Sequence, residues 1–201
     1  MQALVYDIEI IKAIEERGQP RIPGIEYCGG WNDHANMGIS VICAYDYEDK
    51  RFRVFTESNQ MVFWDLARRR APLVGFNNVR FDNRVIEAAW EKRIHPSDCY
   101  DIMAELWKVD GLDPDNFAFQ THGGYGLDQC AFVNFGAHKT GSGANAPVLW
   151  QQDKIGDVID YCMEDVRLTK LLFDRIQEQG FLIHPKDGNR VLRISAPNQG
   201  E

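Results

Sequence analysis

Residues 2–10, QALVYDIEI, form an apolar, β-branched run interrupted by two acids, Asp7 and Glu9. The run reads as a buried strand. Side chains two apart share one face of a strand, so both carboxylates point the same way. Two charges on one face of a buried strand are costly unless they reach solvent at the strand end, are paired, or bind cations.

Outward from this strand, residues 37–46 (MGISVICAYD) and 51–55 (RFRVF) read as two more, joined by the turn Tyr47-Glu48-Asp49-Lys50 as a hairpin. Ser58 or Asn59 caps a helix carrying Met61, Phe63, Trp64 and Ala67. Ala71-Pro72 ends it, and LVGF at 73–76 is a short strand. A helix over 83–93 places Val85, Ile86, Ala89 and Trp90 on one face, and 101–108 and 126–135 read as two further helices. The clearest helix spans 157–179, with Val158, Cys162, Val166, Thr169, Phe173 and Ile176 as its apolar stripe and Gly180 as its stop. FLIH (181–184) and RVLRI (190–194) flank Lys186-Asp187-Gly188-Asn189 as a terminal hairpin. Segments 12–36, 109–125 and 136–150, rich in Gly, Pro, Asn or Asp, read as irregular, and irregular stretches this long are often functional. The order of elements predicts one domain over 1–201, α/β or α+β with a mixed sheet.

Composition narrows the function classes. The 201 residues include 22 Lys+Arg against 30 Asp+Glu, a formal charge of −8, with 44% hydrophobic and 26% charged residues. That is ordinary for a soluble globular chain and excludes a disordered one. No apolar run approaches the roughly 18 residues of a membrane span. Asp7 and Glu9 interrupt the first apolar stretch, so it is no signal peptide, and a cytoplasmic protein is expected. The acidic balance argues against coating nucleic acid by bulk charge, but not against an enzyme that handles it through bound cations. Five cysteines, odd in number and without a C-x-x-C, read as reduced thiols rather than a disulfide framework. Cys28 with His34, and His95 with Cys99, each lack a second half of a zinc site and read as structural.

Asp82 follows the strand and turn LVGFNNVRF and opens the next helix, where the macrodipole favours a carboxylate. Tyr161 and Asp165, four apart, stack on one helix face beside the apolar stripe. Asp7, Glu9, Asp82 and Asp165 thus supply four carboxylates from three separated elements, with the Tyr161 phenol. A pair of divalent cations about 4 Å apart needs hard oxygen ligands of this type. Two-metal phosphodiester hydrolysis uses one ion to generate hydroxide and the other to stabilise the leaving oxygen.

YDIE at 6–9, GFNNVRFD at 75–82 and YCMED at 161–165 resemble the three motifs of the DnaQ-like (DEDDy) 3′–5′ exonucleases. The middle one is similar to the proofreading exonuclease domains of family B DNA polymerases. The resemblance implies an RNase H-like α/β fold, a mixed five-stranded sheet flanked by helices, and two divalent cations, Mg²⁺ or Mn²⁺. It implies that Asp7 bridges both metals and that Glu9 helps hold the first metal and the nucleophilic water. Asp82 would serve the second metal, Asp165 the first, and Tyr161 would orient the attacking water. Asn77 or Asn78, together with Phe81, would contact the 3′-terminal nucleotide, with core packing as the alternative for Phe81. Lys139, in a Gly-rich loop, occupies the region where similar domains place a catalytic-side Lys. Arg80 and Arg84 flank Asp82 and are candidates for backbone phosphate contacts, whereas Arg68-Arg69-Arg70 reads as a solvated helix end.

Two departures stand out. Ile10 replaces the Thr that often follows the first Glu. The 12–36 segment, with Trp31, Asp33 and His34, is longer than the usual connection and reads either as a surface insertion or as a substrate lid. The implied activity is a metal-dependent 3′–5′ exonuclease on single-stranded ends, DNA before RNA. An exoribonuclease of the same chemistry and a non-catalytic nucleic-acid-binding or assembly module are the alternatives. These residues hold no polymerase domain, so the resemblance implies a stand-alone nuclease, or a subunit serving a polymerase or another replication or repair protein in trans.

Overall fold

The computed structural model describes residues 1–15, 18, 20–138, 141 and 143–197. In chain order come β1 (Leu4–Ile10), β2 (Ala13–Ile14), β3 (Tyr27–Cys28), α1 (His34–Met37), β4 (Ile39–Asp46) and β5 (Arg51–Thr56). Then follow α2 (Gln60–Ala67), β6 (Leu73–Gly75), α3 (Asp82–Trp90), β7 (Cys99–Asp101), α4 (Ile102–Val109) and α5 (Phe119–His122). The chain closes with α6 (Leu127–Phe135), α7 (Ala146–Gln151), α8 (Ile155–Gln179), β8 (Phe181–His184) and β9 (Asp187–Arg193).

The main sheet has five strands in the order β5-β4-β1-β6-β7. β1 pairs antiparallel with β4 and parallel with β6, so the sheet is mixed and the fold is the expected RNase H-like α/β arrangement. β1 lies at its centre, buried on both faces by strict alternation. Leu4, Tyr6, Ile8 and Ile10 pack with Phe63 and Leu66 of α2 and Val85 and Ile86 of α3. Ala3 and Val5 face the other way, onto Val158, Cys162, Val166 and Phe173 of α8. Every residue of the expected α8 stripe is buried, and α8 ends at Gly180 as expected. Full burial of each Val, Ile or Phe side chain in that stripe contributes about 1.5–3 kcal/mol.

Several local expectations are corrected. Cys99–Asp101 is the fifth strand, three residues long and too short to show alternation; parallel pairing with β6 makes it a strand. The expected irregular 136–150 segment gives way to α7 from Ala146, with Pro147 in its first turn, where a missing N–H costs nothing. The 12–36 segment is likewise partly ordered, as α1 and the β2–β3 pair. Met37 ends α1 rather than starting β4. Asn59 is the N-cap of α2, but its side chain accepts from Thr56 N at 2.7 Å instead of capping. α3 stops at Trp90 because Glu91 turns left-handed, and the terminal hairpin turns at Pro185-Lys186. There the His184 imidazole accepts the N–H groups of Lys186 and Asp187, both at 3.0 Å. Arg70 is no solvated helix end: it clamps the fully buried Asp46 at 3.0 and 3.1 Å and reaches Glu48 at 2.5 Å. Among the described residues no helix is long and apolar enough to cross a membrane.

Candidate active site

The alternation that buries β1 also builds the site. Positions 3, 5, 7 and 9 share the α8 face, and there Ala3 and Val5 give way to Asp7 and Glu9 toward the end of the strand. The β1–β4 register shifts between Glu9 and Ile10. Ser40 stands at this irregularity, its hydroxyl donating to the Glu9 carbonyl at 3.0 Å and the Ile10 carbonyl at 3.3 Å. Cys162 of α8 donates its thiol to the Asp7 carbonyl at 3.5 Å and to Asp7 Oδ2 at 3.7 Å. Ligand atoms of Asp7, Glu9 and Cys162 lie within 4.8 Å of one another. The sequence placed Cys162 in the core stripe, which is right, but did not show that this stripe touches Asp7.

The 75–82 stretch is shaped by one close approach. A Cβ on Gly75 would lie 2.5 Å from the Asn78 Cβ, so only glycine lets Asn78 fold back under β6. Asn78 is completely buried and donates Nδ2 to the Tyr6 hydroxyl at 3.3 Å, while that hydroxyl donates to Asn83 Oδ1. Asn77 turns left-handed, at φ 67°, a conformation Asn tolerates. Asp101, at the end of β7, gathers the loop: it accepts from Asn77 N at 2.9 Å and Val79 N at 3.2 Å. The same carboxylate caps α4 through Met103 N at 3.1 Å and Ala104 N at 3.3 Å. Asp101 escaped the sequence reading, although an Asp directly before the apolar Ile102 is an N-cap signal.

Asp82 opens α3 with its Oδ1 accepting from Ile8 N at 3.2 Å, which fixes the carboxylate against β1. Burial pushes its pKa up to about 7, the charges of Asp101 and Asp165 adding to the shift and the backbone hydrogen bonds opposing it. From α8, Tyr161 and Asp165 both reach the same place, and both are buried rather than at the edge of the core. Gly141 and Gly143 lie close to the phenol: a Cβ on Gly141 would lie 3.0 Å from the Tyr161 ring, and one on Gly143 would lie 3.4 Å from its hydroxyl.

Asp7, Glu9, Asp82, Tyr161 and Asp165 line a single cleft of about 190 Å³, together with Ile10, Asn77 and Phe81. Three separated elements therefore converge as the sequence anticipated. Asn78 does not face the cleft, so Asn77 is the asparagine that does. Arg80 lies outside it, its Nη1 bound to the Pro114 carbonyl at 2.7 Å and its guanidinium over the Phe117 ring. Arg84 is exposed and pairs with Glu87 at 3.6 Å. Lys139 lies outside the described residues. The donors in the cleft are hard oxygens, the type that suits Mg²⁺ or Mn²⁺. Burial first, and the neighbouring Asp101 and Asp165 charges after it, raise the Asp82 pKa, and a bound cation would offset both. The residues present therefore fit divalent cations.

The sequence matches RNase_H_2, a family of the RNase_H superfamily, over residues 28–177, about three quarters of the chain. Asp82, Tyr161 and Asp165 fall within that span, and Asp7 and Glu9 precede it. No curated protein matches the sequence. Among solved structures, a family B DNA polymerase from the hyperthermophilic archaeon Pyrobaculum calidifontis superposes with a TM-score of 0.57 at 17% identity. The superposition covers 88% of this chain and 24% of the polymerase, so the chain spans about a quarter of that protein's length.

Proposed function

The chain belongs to the RNase H superfamily, whose fold supports a nuclease-type function, and on that footing we propose a metal-dependent 3′–5′ exonuclease acting on single-stranded DNA ends. One observation carries the reading: four carboxylates and a phenol, drawn from β1, α3 and α8, line one cleft. Asp7, Glu9, Asp82 and Asp165 would hold two divalent cations, Mg²⁺ or Mn²⁺. When bound, these ions supply charge neutralisation at the scissile phosphate and activation of water.

The chain's own residues position the rest. The Tyr161 hydroxyl orients the attacking water, and its ring is kept in place by the close passage of Gly141. Cys162, donating to Asp7 Oδ2, holds that carboxylate's rotamer. Asn77 and Phe81, in the cleft wall, receive the 3′-terminal nucleotide, with stacking on Phe81 tolerant of sequence. Asp101 acts one step back, presenting Asn77 through its hold on the 77–79 backbone. The fold shared with part of a DNA polymerase supports a DNA strand as substrate, and a polymerase or a repair protein as a partner in trans.

The test is a cleavage time course on matched 5′-labelled single-stranded DNA and RNA with Mg²⁺, Mn²⁺ or EDTA. The expected result is a ladder shortening from the 3′ end, abolished by EDTA and faster on DNA. Faster loss of the RNA ladder would make the enzyme an exoribonuclease. No cleavage with either metal by folded protein would leave a binding or assembly module.

A further inference from the structure

Beside the cleft runs a second, wider groove of about 910 Å³ that the chemistry above does not use. The two are continuous, because Trp31, Asn77 and Phe81 line both. Trp31 and Phe81 form the shared wall, with ring centroids 5.9 Å apart. Farther along, Phe117 and Phe119 line the groove. Trp31 is 68% exposed and Phe119 is 76% exposed, unusual for rings this large on a single surface. Arg80 projects into the same groove, held by the Pro114 carbonyl and seated over the Phe117 ring at 5.1 Å. Among the described residues it makes no ion pair, so its remaining N–H groups are free to meet an anion. Asp115 is the acidic residue lining the groove.

We propose that this groove receives the nucleotides upstream of the 3′-terminal one, their bases stacking on Trp31 and Phe119 and a backbone phosphate meeting Arg80. The proposal rests on the exonuclease reading and gives it a strand path. A strand whose last nucleotide lies in the cleft against Phe81 must leave along an open side, and the groove opens from that same wall. With a net charge of −8 the chain offers no bulk cationic field, so affinity has to come from stacking and a few placed cations. Stacking rings and one anchored guanidinium are that combination. Trp31 belongs to the 12–36 segment and Phe119 to the 109–125 segment, neither of them part of the motifs that supply the carboxylates.

Strand length separates the groove from the cleft. kcat/KM should rise from a 3′-hydroxyl dinucleotide to a hexanucleotide in the native chain. Trp31→Ala and Phe119→Ala should each cut that length advantage about tenfold, and Trp31→Phe should restore most of it. Both side chains are exposed, so circular dichroism should show the fold unchanged. Binding is read without cleavage as the anisotropy of a 5′-labelled hexanucleotide in Ca²⁺, which oxygen ligands also hold; the same variants should weaken it about tenfold. A length advantage that survives both alanine substitutions overturns the groove, as does an equal loss on dinucleotide and hexanucleotide. The exonuclease reading fails differently: a native chain that cuts nothing in Mg²⁺ or Mn²⁺, yet binds the hexanucleotide through Trp31 and Phe119, keeps the groove and loses the activity.

Discussion

Asp46 and Asp82 are both buried aspartates beside β1, at opposite ends of it, and the fold treats them in opposite ways. Asp46, across from Leu4, is met on both oxygens by Arg70 and approached by Arg53 at 3.4 Å. Burial alone would raise its pKa, but the Arg70 guanidinium together with the backbone N–H groups of Glu48 and Asp49 outweighs that and holds the carboxyl below the ordinary range. Asp82, beside Ile8, has a backbone N–H and other carboxylates around it, and burial pushes it up to about 7. Among the described residues it makes no ion pair. One end of the strand carries an acid whose charge the chain neutralises itself. The other carries an acid that no cationic side chain among the described residues meets, which is the physical setting of the proposed metal site.

The contrast is broken most directly at Asp82. Asp82→Asn keeps the shape and removes the charge. Activity should fall on the order of a thousandfold, the scale of losing a fixed electrostatic group at a reacting centre, while the melting temperature in EDTA holds or rises. Asp7→Ala and Asp165→Ala should behave alike. Full activity in the Asn variant, or a collapsed fold, would place Asp82 with Asp46 as a structural acid. Arg70→Met tests the other end. It strips a buried carboxylate of its main partner, so urea unfolding should show a loss of about 3–5 kcal/mol, with kcat per folded molecule unchanged.

The two acids also predict opposite pH responses in metal-free protein. Asp82, raised in the fold, favours the folded state while protonated, so its contribution fades as pH climbs from the ordinary carboxylate range to about 7. That loss is at most about 4 kcal/mol, shared among neighbouring carboxylates. Asp46, lowered in the fold, contributes fully above the ordinary range, and its share is lost as pH falls through its depressed pKa. Urea unfolding in EDTA between pH 4.5 and 7.5 should therefore show stability declining with pH. Asp82→Asn should flatten that slope, and Mg²⁺ should flatten it in the native chain. A slope identical in native and Asn variants would dissolve the contrast.

What the sequence disclosed follows from periodicity. The alternation of β1 and the stripe of α8 are local patterns: they put Asp7 with Glu9 on one strand face and Tyr161 with Asp165 on one helix face, and only the motif resemblance joined the two pairs. What it hid depends on long-range contact. Cys99–Asp101 is a strand only because β6 lies beside it, and Asp101 shapes the 77–79 loop from more than twenty residues away. Asn77 and Asn78 are the same residue type in adjacent positions; the space left by Gly75 sends one into the core and leaves the other in the cleft. Arg70 looked like the end of a charged run because its partner, Asp46, is remote in sequence and buried. Asp187-Gly188-Asn189 has turn chemistry, yet the His184 ring closes the hairpin earlier.

The smallest effect is expected at Tyr161, and it asks whether every group in the cleft is there for charge. The phenol adds no negative charge to the carboxylate cluster, and its ring lies close against Gly141. Tyr161→Phe keeps that packing and deletes the hydroxyl, so the melting temperature should hold and kcat should fall about 10- to 100-fold, well short of Asp82→Asn. Gly141→Ala provides the complementary cut. Its new Cβ would press to 3.0 Å from the ring, displacing the phenol without removing it. The same direction of loss in both variants would mean that the hydroxyl works through where it stands. Full activity in Tyr161→Phe would reduce Tyr161 to a wall of the cleft, and a loss as deep as that of Asp82→Asn would make the hydroxyl part of the cation-holding set rather than a guide for water.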